Sequence, residues 1–113
     1  IRASINGAFK TNGPITLAGS WNEPFFAETG GRLEVGANVS IPVALSVAYF
    51  AIAQDQVILN CDPGVSFGGA GAAGTTGQRF LTRRNGIVQT NNGTSNFLPG
   101  NVAGDQVDGG RYF

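Results

Sequence analysis

The segment QRFLTRRNGIVQT, residues 78–90, places two apolar-containing runs on either side of Asn85-Gly86. Both residues of that dipeptide tolerate positive φ, so it suits the tight turn of a β-hairpin. Asn-Gly recurs at Asn6-Gly7, Asn12-Gly13 and Asn92-Gly93. Read as hairpins, these turns predict antiparallel strands. Neither face of the 78–90 hairpin is cleanly apolar, so its register stays open.

A cleaner strand signal lies upstream. Leu33, Val35, Ala37, Val39 and Ile41 alternate with Arg32, Glu34, Gly36, Asn38 and Ser40. That is one buried and one wet face. The apolar parity runs on through Val43, Leu45, Val47 and Tyr49, and Pro42 is the expected break because it cannot donate to a ladder. For residues 42–53 the Ala-rich ALSVAYFAIAQ keeps a helix capped near Ser40 as a rival to a strand. Val57 to Cys61 reads as the next strand, closed by a turn at Asp62-Pro63-Gly64. Ile15 and Leu17 mark an earlier strand, and Trp21, Phe25 and Phe26 a loop or short edge strand. The tail from Asn96 reads as irregular chain with a short strand near each end.

Short strands at turn spacing predict one mainly β domain over residues 1–113, an antiparallel β-sandwich or jelly roll with glycine-rich loops. No internal repeat is evident. The composition fits: 18 glycines, 42% hydrophobic residues, 12% charged residues and no formal net charge. So few charges disfavour nucleic acid, which needs clustered Lys and Arg, and leave little to hold copies apart. Opening on Ile1 without Met, the sequence reads as a processed product or a fragment. The longest apolar run, Ile41 to Ala53, is too short to span a membrane.

Gly69-Ala70-Gly71-Ala72-Ala73-Gly74 matches G-x-G-x-x-G, but its context does not. A dinucleotide site needs a strand running into the glycines, a helix after them and an acidic residue ~20 positions on. Pro63-Gly64 interrupts the approach, Thr75-Thr76-Gly77 is poor helix material, and no Asp or Glu lies between Asp62 and Asp105. The expectation is no cofactor. Phe67, Gly69, Gly71 and Gly74 instead mark a loop where another backbone, such as that of a neighbouring subunit, approaches closely.

The chain has no histidine, which removes Ser-His-Asp and Cys-His catalysis and histidine metal sites. Cys61, the single cysteine, follows Val57 and Leu59 at a spacing of two and reads as a buried, inert thiol. Asn101, Asp105 and Asp108 lack the dense spacing of a calcium loop and read as turn formers. Glu23, Glu28, Glu34 and Asp55 have no glycosidase spacing. The expectation is a non-enzyme without a metal. Trp21, Asn22 and Glu23 combine an aromatic face with amide and carboxylate groups and form a candidate sugar platform, with Tyr49 or Tyr112 as further contributors. Trp21 packed in a core or subunit interface is the competing reading. Arg79, Arg83 and Arg84 form the one basic cluster, with Phe80 interleaved. Asn38-Val39-Ser40 and Asn92-Gly93-Thr94 match the glycosylation acceptor pattern, at about the frequency chance allows.

The alternating RLEVGANVSIPVALSV (32–47), the glycine-rich GVSFGGAGAAGTTGQ (64–78) and the closing NNGTSNFLPGNVAGDQVDGGRYF (91–113) together resemble viral surface modules in texture: phage fibre heads, decoration proteins and small trimeric jelly rolls. The resemblance carries no specific motif and transfers no site. It implies a structural, homo-oligomeric component, with a trimer favoured, at a virion or extracellular surface. Such a component contacts other structural proteins of its assembly and serves host attachment. A carbohydrate-binding module is the alternative from another class, with a surface glycan as partner. A filament subunit donating Ile1 to Leu17 by strand addition is the third.

Overall fold

A computed structural model describes residues 1–3, 7–91 and 94–113. Strands β1 (Arg2–Ala3), β2 (Ala8–Thr11) and β3 (Ile15–Thr16) make a first coil. Strands β4 (Phe25–Ala27), β5 (Arg32–Val35) and β6 (Val39–Ser40) make a second, and β7 (Ser46–Gln54), β8 (Ile58–Cys61) and β9 (Phe67–Gly68) a third. Strands β10 (Thr76–Arg83) and β11 (Ile87–Gln89) belong to a fourth, and β12 (Asp105–Gln106) and β13 (Arg111–Tyr112) follow.

The stacking order is β1-β4-β7-β10-β12 on one side, β2-β5-β8-β11-β13 on the second and β3-β6-β9 on the third. Every pairing among the described strands is parallel. The fold is a parallel β-solenoid of about four turns. The expected antiparallel β-sandwich or jelly roll is therefore wrong, although the described elements are β as a mainly β chain requires. Each strand pairs with the equivalent strand of the next coil rather than with its sequence neighbour.

Asn85-Gly86 shows why the hairpin reading fails. A tight turn is present, one residue earlier than expected: Gly86 N–H donates to the Arg83 carbonyl at 2.9 Å, with Arg84 (φ 49°) and Asn85 (φ 59°) both left-handed. The flanking strands then diverge, β10 onto β7 and β11 onto β8. The same corner recurs at Thr29-Gly30, Asp55-Gln56 and Asp108-Gly109, all with positive φ. These corners stack. Gly30 N–H donates to Asp55 O at 3.3 Å, Gln56 N–H to Arg84 O at 3.0 Å, and Asn85 N–H to Asp108 O at 3.1 Å. The ladder thus continues around the bend, satisfying backbone groups that a corner would otherwise leave unpaired. Asn12-Gly13 lies in a bend rather than a hairpin; Asn6 and the Asn92-Gly93 turn lie outside the described residues.

An internal repeat exists after all, with variable length. The register steps from Arg2 to Phe26, Ile52, Leu81 and Asp105 are 24, 26, 29 and 24 residues. One part does not vary. Arg2 to Ala8, Phe26 to Arg32, Ile52 to Ile58, Leu81 to Ile87 and Asp105 to Arg111 are each six residues.

Alternation serves a solenoid as well as a sandwich, since either way one face of each strand is buried. Leu33, Leu59 and Val88 stack as one inward column, and Val35 and Cys61 as another. Ala27, Ala53 and Thr82 form a buried column on the first side, where small residues let the walls approach. The chain breaks at 41–45, as Pro42 predicts, and Val43 turns outward at 71% exposure. Residues 46–54 are strand, which closes the helix alternative. Thr76 pairs with Ser46 but Gln78 with Tyr49, so β7 carries an extra residue opposite Gly77, whose φ is +112°.

A cleft around Arg79

Register sets Arg79 directly over Phe50, between the Gln78–Tyr49 and Phe80–Ala51 pairs. Phe50 is fully buried and belongs to a cluster of rings. Its centroid lies 5.7 Å from Phe25 and 5.3 Å from Phe67, and Phe67 meets Phe97 edge-on at 5.5 Å. Arg79 therefore follows an apolar column into partly buried surroundings. Its Nε is buried without a hydrogen-bond partner. Among the described residues the guanidinium makes neither a hydrogen bond nor an ion pair. Neighbouring arginines differ: Arg83 donates to Gln54 at 2.7 Å, and Arg84 pairs with Asp55. The basic cluster seen in the sequence is thus dispersed.

Arg79 lines an open cleft of about 470 Å³ together with Phe67, Gly68, Gly69, Asn96, Phe97, Pro99 and Gly100. That volume falls within the usual range for small-molecule sites, ~300–1,000 Å³. Among the described residues no acidic side chain lines it. The floor comes from β9 and the far wall from the irregular segment that follows β11, where Leu98 turns inward and is buried. Sequence reasoning missed Asn96, Phe97, Pro99 and Gly100, because only the coil register brings that segment over Arg79.

The glycine-rich loop forms one side of this cleft through Phe67 and Gly69. The close backbone approach expected there is made by the same chain. Gly71 N–H donates to Ile41 O at 2.8 Å, and Thr76 N–H to Leu45 O at 2.9 Å. Buried Thr75 fixes the loop, its Oγ1 accepting from Leu45 N–H at 3.2 Å and donating to Gly71 O at 3.0 Å. Gly74 sits against Ala44. These glycines serve packing between coils, and no helix follows them.

Trp21 is half-buried against the core, and its Nε1–H donates to Ala18 O at 3.0 Å. Asn22 and Glu23 are exposed beside it, and the Asn22 carbonyl accepts from Ala48 N–H at 2.9 Å. Tyr49 lies nearby, its N–H 3.4 Å from the same carbonyl. Tyr112 stands apart, stacked on Phe80 at 4.1 Å; burial pushes its phenol up.

The acidic residues occupy outer ladders. Glu28 accepts from Arg2 and from Gln54, and Lys10 bridges Glu34 at 2.6 Å and Asp62 at 2.9 Å across coils. The Lys10 hydrogen bond holds Asp62 below its ordinary value, and the bonds to Glu34 and Asp62 raise Lys10. Asn101 caps Gly77 N–H at 2.8 Å, Asp105 accepts from Gln78 at 2.7 Å, and Asp108 opens a corner turn. Asn38 of the first acceptor motif receives Ser66 N–H at 3.0 Å; the second motif lies partly outside the described residues. Cys61 is buried in the core, and burial, aided by Asp62, pushes its thiol up to about 12. Among the described residues no helix is long and apolar enough to cross a membrane.

No family model, curated protein or solved structure matches this chain.

Proposed function

We propose that this chain is a non-enzymatic structural module of a virion or extracellular surface assembly, working through contacts at its coil ends. The supporting observation is the open stack. One side ends in β1 and β12 and another in β2 and β13, each with an edge able to accept a further parallel strand. Apolar side chains lie exposed near those ends: Phe9 on β2 at 46%, and Val107 and Phe113 by β12 and β13. The chain's low charge favours such association. Native mass spectrometry of the purified protein tests this. A closed oligomer, with a trimer favoured, or an open ladder of species is expected; a clean monomer at micromolar concentration defeats the reading.

Carbohydrate binding is the second reading, and the cleft around Arg79 is the observation that favours it. The cleft brings together phenyl rings, an amide and a cation. At the Trp21 platform, by contrast, the indole N–H is already engaged. Glycan binding by the intact protein tests it, and a blank glycan array removes its support.

A further inference from the structure

We propose that the Arg79 cleft binds a carboxylate carried on a hydroxylated ring, a sugar acid of the uronate type. The proposal deepens the carbohydrate-binding reading and rests on it.

The charge argument comes first. An arginine cannot shed its proton in a protein, so a partly buried guanidinium without a partner is an unmet demand for an anion. Arg79 meets that description, with Nε buried and unbonded and no acidic residue among the residues lining the cleft. Among the described residues Arg79 is the one cation lining the cleft, which matches a monoanion better than a phosphate dianion. The two terminal nitrogens of a guanidinium also carry parallel N–H groups, which fit the two oxygens of a carboxylate.

Shape adds the ring. At about 470 Å³ the cleft is far larger than a carboxylate needs. Phe67 and Phe97 offer apolar surface of the kind the C–H face of a sugar packs on, and the Asn96 amide is exposed and lines the same space to meet hydroxyls. Gly68, Gly69 and Gly100 put bare backbone at the wall. Side chains at two of them are disfavoured: Gly69 has φ +100° and Gly100 φ +141°, and a Cβ at Gly100 would stand 3.1 Å from Arg79 Cγ. Of the two, Gly100 lies against the Arg79 side chain, while Gly69 faces the Ile41 backbone.

The test uses the full chain labelled with ¹⁵N, following backbone amides and arginine Nε–H signals during titration. The probes are sodium glucuronate, methyl glucoside, acetate and inorganic phosphate. Glucuronate is expected to give saturable shifts at Arg79 Nε–H and at the Gly68, Gly69 and Gly100 amides. Acetate and methyl glucoside should bind at least about tenfold more weakly, because each lacks half of the recognised chemistry. Arg79→Gln should weaken glucuronate by about tenfold or more, and Arg79→Lys, which keeps the charge without the fork, by less. Should Arg79→Gln fail to fold, the ligand series on the native protein and on Arg79→Lys decides. Four outcomes overturn the proposal: no shifts in the cleft with glucuronate, phosphate or acetate equalling glucuronate, methyl glucoside equalling it, or native-strength binding without Arg79. The first of these, accompanied by methyl glucoside shifts at Trp21, Asn22 and Glu23, would overturn this proposal while keeping the carbohydrate reading.

Discussion

A methyl group added at Gly71 would lie 2.1 Å from the Val43 carbonyl carbon, inside the contact between the glycine-rich loop and the coil beneath it. Gly71→Ala should therefore cost about 1–3 kcal/mol in urea unfolding through overpacking. Gly13 has nothing within 4 Å of the same built atom, and Gly13→Ala should leave stability unchanged or raise it by up to ~1 kcal/mol. Equal effects would dissociate the loop from the packing role given to it. Cys61 should resist alkylation in the native protein at pH 8 and react once denaturant opens the core. For Lys10→Met, NMR titration should show Asp62 returning toward 3.8. Because Asp62 is depressed in the native state, its share of stability is present above its unfolded value. It is lost as pH falls through the depressed one, so native and variant proteins should converge there. Much at this scale was legible: the inward parity of Leu33, Val35, Val39 and Ile41, the break at Pro42 and the burial of Cys61 all follow from residue type alone. Arg79 was not, because its setting is defined by Phe50 one coil away and by a loop 17 residues on, at Asn96.

Among the elements, the corners carry the most information. Each puts two consecutive residues in left-handed conformation, and the third coil does so with Asp55 and Gln56, neither of them glycine. Gln56 is exposed and holds φ 61°. Gln56→Gly should therefore relieve up to ~1 kcal/mol of backbone strain, visible as a higher urea midpoint. Loss of stability instead would mean that the Gln56 side chain contributes more than its backbone costs. The same corners explain the antiparallel misreading. A two-residue turn with positive φ is the ordinary hairpin signal, and nothing within the dipeptide says whether its strands pair with each other or with the coils above and below. That choice is made by distant partners, Ile58 for Ile87 and Ala51 for Phe80. The repeat escaped notice for a related reason: steps of 24, 26 and 29 residues blur any fixed period.

At the scale of the molecule, each coil contacts chiefly its neighbours, so stability should be graded along the axis. Hydrogen exchange should be slowest in β5, β7 and β8, paired on both edges, and fastest in β12 and β13. Uniform protection would mean that the stack opens as one unit. The six-residue step from the first side to the second never changes, while all length variation falls elsewhere around the coil. A chain built this way can be lengthened without redesign. An in-frame duplication of residues 32–57, the span from Arg32 up to its partner Ile58, would add one rung and extend the axis by about 4.8 Å. Length along the coil axis is then a quantity that gene duplication adjusts in fixed increments.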